Sequence, residues 1–152
     1  MGKAEVRVVV VPRMVTVALL LLVSIGITLL IQFLSGRAYV HDRPRLIEIL
    51  SRGVVSRDAF LAALMPPIAN ALLFSPWGFL AFLAIDREGR TRFRAYLATL
   101  VGAILFAAAL VGWQYLLPTR VTGWFDIIAN GAGAFCGALV GDLRRRVRVR
   151  FE

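Results

Sequence analysis

The chain has 152 residues, of which 59% are apolar, and its formal net charge is +9 at pH 7. Soluble domains are about 45–50% apolar, so the composition excludes a soluble fold, which would leave too much apolar surface in water. The charged residues lie in short stretches between long uncharged runs, as a bilayer requires. We expect the lipid bilayer as the first partner and no nucleic-acid partner, because arginines beside apolar runs suit anionic lipid headgroups.

Four apolar runs are long enough to cross a membrane. A spanning helix needs about 20 residues for a hydrocarbon core about 30 Å thick. The first run is longer than the apolar region of a signal peptide and no A-x-A-type site follows it, so we interpret it as a retained helix. The sequence predicts an all-α fold, a polytopic membrane helix bundle with four transmembrane helices in one domain, 1–152. The predicted spans are residues 14–33, 66–85, 96–117 and 124–143.

The first loop and the start of the second span carry further signals. Within residues 44–64, apolar side chains recur at helical spacing opposite charged ones, which predicts a helix in the outer membrane interface. An irregular loop is the alternative, because Gly53 weakens a helix. Pro66 and Pro67 are expected in the first turn of the second span, where a missing N–H costs nothing. Pro76 should kink that span.

The distribution of positive charge predicts the orientation. Lysines and arginines in the N-terminal segment, the second loop and the C-terminal tail outnumber those in the first and third loops. Positive charge resists translocation across the membrane. We therefore expect both termini in the cytoplasm, although arginines in the first loop reduce the contrast.

Polar residues within the apolar runs need an explanation, because they are costly in a membrane. They are Asn70, Gln114, Asp126 and Asn130, joined by Arg120 in the last loop. In the predicted topology, all five lie at the outer ends of the helices. A carboxylate in hydrocarbon needs a partner, so we expect an Arg120–Asp126 pair supported by Asn70 and Gln114. The five residues are either a ligand-binding site or internal glue for the bundle, and both interpretations stay open.

Small residues continue the polar face of the fourth span. Gly133, Gly137 and Gly141 follow at four-residue spacing, which lets another helix approach closely. We assign these glycines, together with Gly78 of the second span, to helix packing. Cys136, the single cysteine, is expected to be a small apolar filler of the last helix.

The sequence contains little that indicates catalysis or metal binding. It has no H-E-x-x-H, G-x-S-x-G or P-loop motif, and no second carboxylate is fixed near Asp126 for acid–base work. His41 has no ligand-spaced histidine or cysteine. We therefore expect no metal and no cofactor, leave catalytic residues unassigned, and regard an enzyme as the weaker alternative.

Two blocks of sequence resemble the VanZ-like membrane proteins. Residues 70–83, NALLFSPWGFLAFL, are similar to the N-x-x-L-F-x-P-x-G-F motif of that family. Residues 113–137, WQYLLPTRVTGWFDIIANGAGAFCG, are similar to its second block, a glutamine, an arginine after a short loop and then D-x-x-x-N-x-x-G-x-x-x-G. The matching positions of the second block are Gln114, Arg120, Asp126, Asn130, Gly133 and Gly137.

The resemblance implies a place in the bacterial cell envelope, in the cytoplasmic membrane. The namesake of the family is linked to low-level resistance to the glycopeptide teicoplanin, without a settled biochemical activity. Many relatives carry a glutamate three residues before the glutamine, where this chain has Val111, so any acid–base role of that glutamate is absent or supplied elsewhere. We expect recognition of a polar or anionic lipid-linked headgroup, such as a cell-wall precursor, at the outer face. The alternatives are a bundle that scaffolds other membrane proteins and a lipid-modifying enzyme of the outer leaflet.

Overall fold

Four helices make up the described part of the computed structural model, which covers residues 12–35, 56–86, 91–116 and 124–146. These ranges contain no β-strand. The prediction of an all-α fold is therefore confirmed. The helices are α1 (Arg13–Ser35), α2 (Arg57–Ile85), α3 (Arg92–Tyr115) and α4 (Trp124–Arg146).

Three of the helices are long and apolar enough to cross a membrane, over Arg13–Ile31 in α1, Ala63–Ile85 in α2 and Arg92–Gln114 in α3. The fourth, α4, is the least apolar, because it is rich in glycine and alanine and carries polar residues. It nevertheless runs parallel to α2 and packs along it over several turns. The arrangement is a membrane helix bundle, in which α4 lies at the same depth as the span of α2.

The contact between α2 and α4 is the most extensive in the bundle, and glycines make it close. A Cβ atom on Gly133 would overlap the backbone of Ala71, and one on Gly137 would lie 2.7 Å from the backbone nitrogen of Phe79. Gly78 of α2 faces the backbone of α4 in the same way. Only hydrogen atoms fit at these three positions, so the two backbones are in direct contact.

Gly141, the last of the predicted packing glycines, has a different neighbour. A Cβ atom there would lie 3.1 Å from the ring of Phe82, so a side chain faces it rather than a backbone. A second ridge of α4 runs beside the glycines at the same four-residue spacing. Its members are nearly fully buried: Asn130, Ala134, Ala138 and Asp142.

Aromatic side chains fill the centre of the bundle. The ring of Trp77 on α2 stacks on Phe106 of α3, with centroids 5.8 Å apart, and Phe74 lies against both rings. The indole N–H of Trp77 donates a hydrogen bond of 2.9 Å to Ser24 Oγ on α1. Because a buried indole N–H needs an acceptor, this bond fixes α1 against α2.

The structure corrects two predictions. Pro66 and Pro67 do not lie in the first turn of the second helix, because α2 begins at Arg57 and includes both prolines. Good helix formers precede them, so the chain is already helical when it reaches the prolines. The end of the predicted interfacial helix 44–64 therefore belongs to α2, and its part up to residue 55 lies outside the described residues. Cys136 was predicted to be a small apolar filler of the last helix, but it is exposed and does not fill space inside the bundle.

Candidate functional site

Four of the five predicted site residues meet at one end of the bundle. This is the end at which α1 and α3 finish and α2 and α4 begin, and the sequence predicts it to be the outer end. The residues are Asn70 on α2, Gln114 on α3 and Asp126 and Asn130 on α4, and we call them the polar cluster. All four line one cavity. Arg120 lies outside the described residues.

The start of α4 determines the position of two members of the cluster. The helix begins at Trp124, so Asp126 lies in its first turn, where the helix dipole favours a negative charge. Asn130 follows four residues later on the same face. A short sequence at the beginning of one helix therefore directs both a carboxylate and an amide into the bundle.

A hydrogen bond within the polar cluster joins α2 to α4. Asn70 Nδ2 donates to Asp126 Oδ1 at 2.9 Å. Hydrogen bonds to an ionised carboxylate are stronger than those between neutral groups. The bond holds the Asp126 carboxylate on the α2 side of the cavity and consumes one of the two N–H donors of Asn70.

Asn130 has a buried polar atom that makes no hydrogen bond among the described residues. The residue is 3% exposed, and the atom is Oδ1 of its side-chain amide. Leaving a buried acceptor unpaired is costly, so native structures contain few such atoms. The same side chain lines the cavity. A group that enters the cavity with a hydrogen to donate would complete the site.

The cavity is small and its remaining walls are apolar. Its volume is about 10 Å³, which is close to the space that one water molecule needs. Apart from the polar cluster, the lining consists of Ile31, Leu110 and Val111. The cavity therefore admits one water-sized group rather than a whole sugar, nucleotide or phosphate.

The composition of the lining limits the chemistry of the site. Val111 occupies the position at which many VanZ-like relatives carry a glutamate, and it is buried in the cavity wall. Among the described residues, Asp126 is the one titratable side chain of the lining. General acid–base catalysis uses a pair of positioned titratable groups. Among the described residues of the lining, Asp126 is the one candidate for such a group. Within the described ranges, no three histidine, cysteine, aspartate or glutamate side chains come together as a metal site.

A buried carboxylate, that of Asp142, lies at the opposite, predicted inner end. Asp142 Oδ1 is 3.8 Å from Arg92 Nε, and the Asp142 side chain is 4% exposed. Asp142 was not among the residues predicted for a site. Its signal was present, because Asp142 continues the four-residue spacing that begins at Asn130.

The comparison with known families agrees with the residue pattern. A family model described as VanZ/LLP1 matches residues 14–145, a range that contains nearly all of the four helices. Neither the curated proteins nor the solved structures that were compared gave a match. The matched range, which includes both sequence blocks and the polar cluster, shows that the chain belongs to the VanZ/LLP1 family of membrane proteins.

Proposed function

We propose that this multi-pass membrane protein binds a polar or anionic lipid-linked headgroup, such as that of a cell-wall precursor, at the outer face of the bacterial cytoplasmic membrane. The observation that carries the proposal is the buried Asn130 Oδ1 atom, which has no hydrogen-bond partner in the described part of the chain and borders a cavity lined by polar groups from three helices. Intramembrane polar residues that meet at one depth are expensive and typically functional.

Each polar residue has a role in this proposal. Gln114 and Asn130 supply hydrogen bonds to the ligand, while Asn70 holds Asp126 in place. Arg120, six residues before Asp126 in the sequence, meets the negative charge of a phosphate. Because the cavity is water-sized, only the tip of the headgroup enters it, and the rest of the headgroup lies at the membrane surface.

Native mass spectrometry of the protein extracted with its own lipids tests the proposal. Arg120→Ala should lose the co-purified lipid while the protein remains folded. Arg94→Ala, which alters an exposed arginine at the predicted inner end, is the matched control and should retain it. Full retention of lipid by a folded Arg120→Ala protein would contradict the proposal.

The second candidate function is structural. In it, the protein scaffolds other membrane proteins, and the polar cluster only holds the helix bundle together as internal glue. The Asn70–Asp126 hydrogen bond between α2 and α4 supports it. In that case, Asn70→Ala, Asp126→Ala and Asn130→Ala all lower thermal stability, and function falls only in proportion. Asn130 Oδ1 favours the binding site over this candidate, because an oxygen that accepts no hydrogen bond from the described residues does not hold helices together.

A link to glycopeptide resistance is a separate proposal that the family resemblance supports. Expression of the protein in a teicoplanin-sensitive bacterium should raise the inhibitory concentration of teicoplanin, and Arg120→Ala should abolish the increase. An increase that persists in Arg120→Ala would separate resistance from headgroup binding.

A further inference from the structure

An apolar groove runs along the surface of the bundle between α3 and α4. Its volume is about 370 Å³. The residues that line it are all apolar or glycine: Leu100, Ile104, Ile127, Ile128, Gly131, Ala132 and Phe135. Because α3 is long and apolar enough to cross the membrane at this level, the groove opens to hydrocarbon and not to water.

Gly131 forms the floor of the groove, since it is buried and lines it. A Cβ atom there would lie 3.8 Å from both Ile104 Cγ1 and Leu100 Cδ1, which is ordinary van der Waals contact. The approach of α3 and α4 therefore does not require a glycine at this position, in contrast to Gly133 and Gly137 against α2. The missing side chain leaves open space between the two helices, which a group from outside the protein can fill.

The groove lies in the half of the bundle that contains the polar cluster. Ile127 lies at the end of the first turn of α4 and Phe135 near the middle of that helix. The eight residues between these positions correspond to about 12 Å at the rise of an α-helix. One leaflet supplies half of a hydrocarbon core about 30 Å thick. The groove therefore matches most of the length of one lipid chain in the leaflet at this end.

The helix α4 lines both the groove and the polar cavity. Asp126 and Asn130 border the cavity, and the residues directly after them, Ile127 and Gly131, border the groove. Successive residues of an α-helix are about 100° apart around its axis. The helix therefore presents polar groups to the inside of the bundle and the groove to its outside at the same depth. A lipid whose headgroup lies at the polar cluster has this groove beside it for one of its chains.

We propose that one hydrocarbon chain of the bound lipid lies in the groove between α3 and α4. The proposal rests on the proposed function, because it places the chain of the same lipid whose headgroup the polar cluster binds. A helix of a second copy of the protein is the competing occupant. Membrane helices pair through small residues that let their backbones approach, whereas Ile104, Ile128 and Phe135 stand exposed beside the glycine floor. These side chains favour a thin, flexible chain.

The test loads the delipidated full-length protein with phosphatidylglycerol and measures its retention by native mass spectrometry. Ala132 lines the groove and is exposed, so Ala132→Phe fills the groove without crowding the core. The variant should retain about tenfold less lipid than wild type, because the weak dispersion contacts along a chain sum to a difference of this order. Ala108→Phe is the matched control, since Ala108 is an exposed alanine of α3 outside the groove. The control should retain lipid as wild type does.

Arg120→Ala in the same assay separates this proposal from the proposed function. Loss of lipid from Arg120→Ala with full retention by Ala132→Phe would leave headgroup binding in place and overturn the groove assignment. The reverse result would support a chain in the groove and contradict the headgroup site. Retention by both variants, or by neither wild type nor variants, would contradict both proposals. Equal loss from Ala132→Phe and Ala108→Phe would overturn the groove assignment, as would a wild-type dimer that Ala132→Phe converts to a monomer.

Photolabelling of the unaltered protein decides the matter if Ala132→Phe does not fold. The probe is phosphatidylglycerol with a diazirine in the middle of one chain. It should label residues 127–135 more strongly than residues 19–30 of α1, a segment that also exposes large apolar side chains. Equal labelling of the two segments would overturn the proposal.

Discussion

The side-chain amide of Asn70 on α2 donates a 2.9 Å hydrogen bond to the carboxylate of Asp126 on α4. Because α2 and α4 run parallel, the bond joins two helices at corresponding depths. The same pairing borders the cavity in which Asn130 Oδ1 accepts no hydrogen bond from any residue within the described ranges.

Loss of this bond should weaken the bundle. Asn70→Ala is expected to lower the free energy of unfolding by about 0.5–1.5 kcal/mol, the range for hydrogen bonds between membrane helices. Unfolding in mixed detergent micelles measures the change. A double-mutant cycle with Asp126→Ala isolates the coupling between the two residues, and a coupling energy of zero would show that the bond does not stabilise the protein.

The close glycine contact between α2 and α4 predicts that adding one methyl group there lowers the stability of the protein, whereas the same change elsewhere does not. Gly137→Ala should destabilise by about 1–3 kcal/mol, because the helices must separate to make room. Gly26→Ala on α1 is the control, since nothing lies within 4 Å of its added Cβ atom. The control should be neutral or slightly stabilising. Equal effects of the two changes in a thermal unfolding assay would contradict the close approach of α2 and α4.

The Trp77–Ser24 hydrogen bond predicts that substitutions of these two residues have non-additive effects on the free energy of unfolding. Ser24→Ala leaves the buried indole N–H without its acceptor and should cost about 1–3 kcal/mol. Trp77→Phe removes the donor and keeps an aromatic ring against Phe106. Adding Ser24→Ala to Trp77→Phe should then cost little more. Full additivity of the two unfolding free energies would mean that the bond does not hold α1 in place.

The predicted orientation can be tested with cysteine labelling in a Cys136→Ala background. Ser56→Cys and Thr91→Cys place exposed thiols at opposite ends of the bundle. A membrane-impermeant maleimide should label Ser56→Cys in intact cells and Thr91→Cys only after permeabilisation. The opposite pattern would place the polar cluster at the cytoplasmic side and remove the outer-face proposal.

The sequence predicted the architecture because a bilayer imposes a length and a polarity on each span. Helix faces also follow from spacing alone, so Asp126, Asn130 and the glycines of α4 could be assigned to one face. The start of α2 could not be predicted in this way. Pro66 and Pro67 resemble a helix start, and whether an upstream segment is already helical depends on the local preference of its own residues.

The candidate site was predictable as a set of residues but not in its geometry. Polarity within apolar runs indicated Asn70 and Gln114, and their common depth followed from counting residues along each span. The volume of the cavity depends on how Ile31, Leu110 and Val111 pack. Because the cavity is so small, a shift of less than the size of a methyl group in this packing would change it. The unpaired oxygen of Asn130 depends on the same packing, and no spacing rule predicts it.

The lipid-induced shift in the Tm of Asn130→Leu tests most directly whether the polar cluster binds a headgroup or only holds the bundle together. The measurement compares wild type and variant in micelles with and without equal parts of phosphatidylethanolamine and phosphatidylglycerol. A ligand that binds only the folded state raises Tm. We predict that lipid raises the Tm of wild type but not of the variant, whose Tm without lipid equals or exceeds that of wild type. A variant with a lower Tm and an unchanged lipid-induced shift would contradict the binding site and favour internal glue.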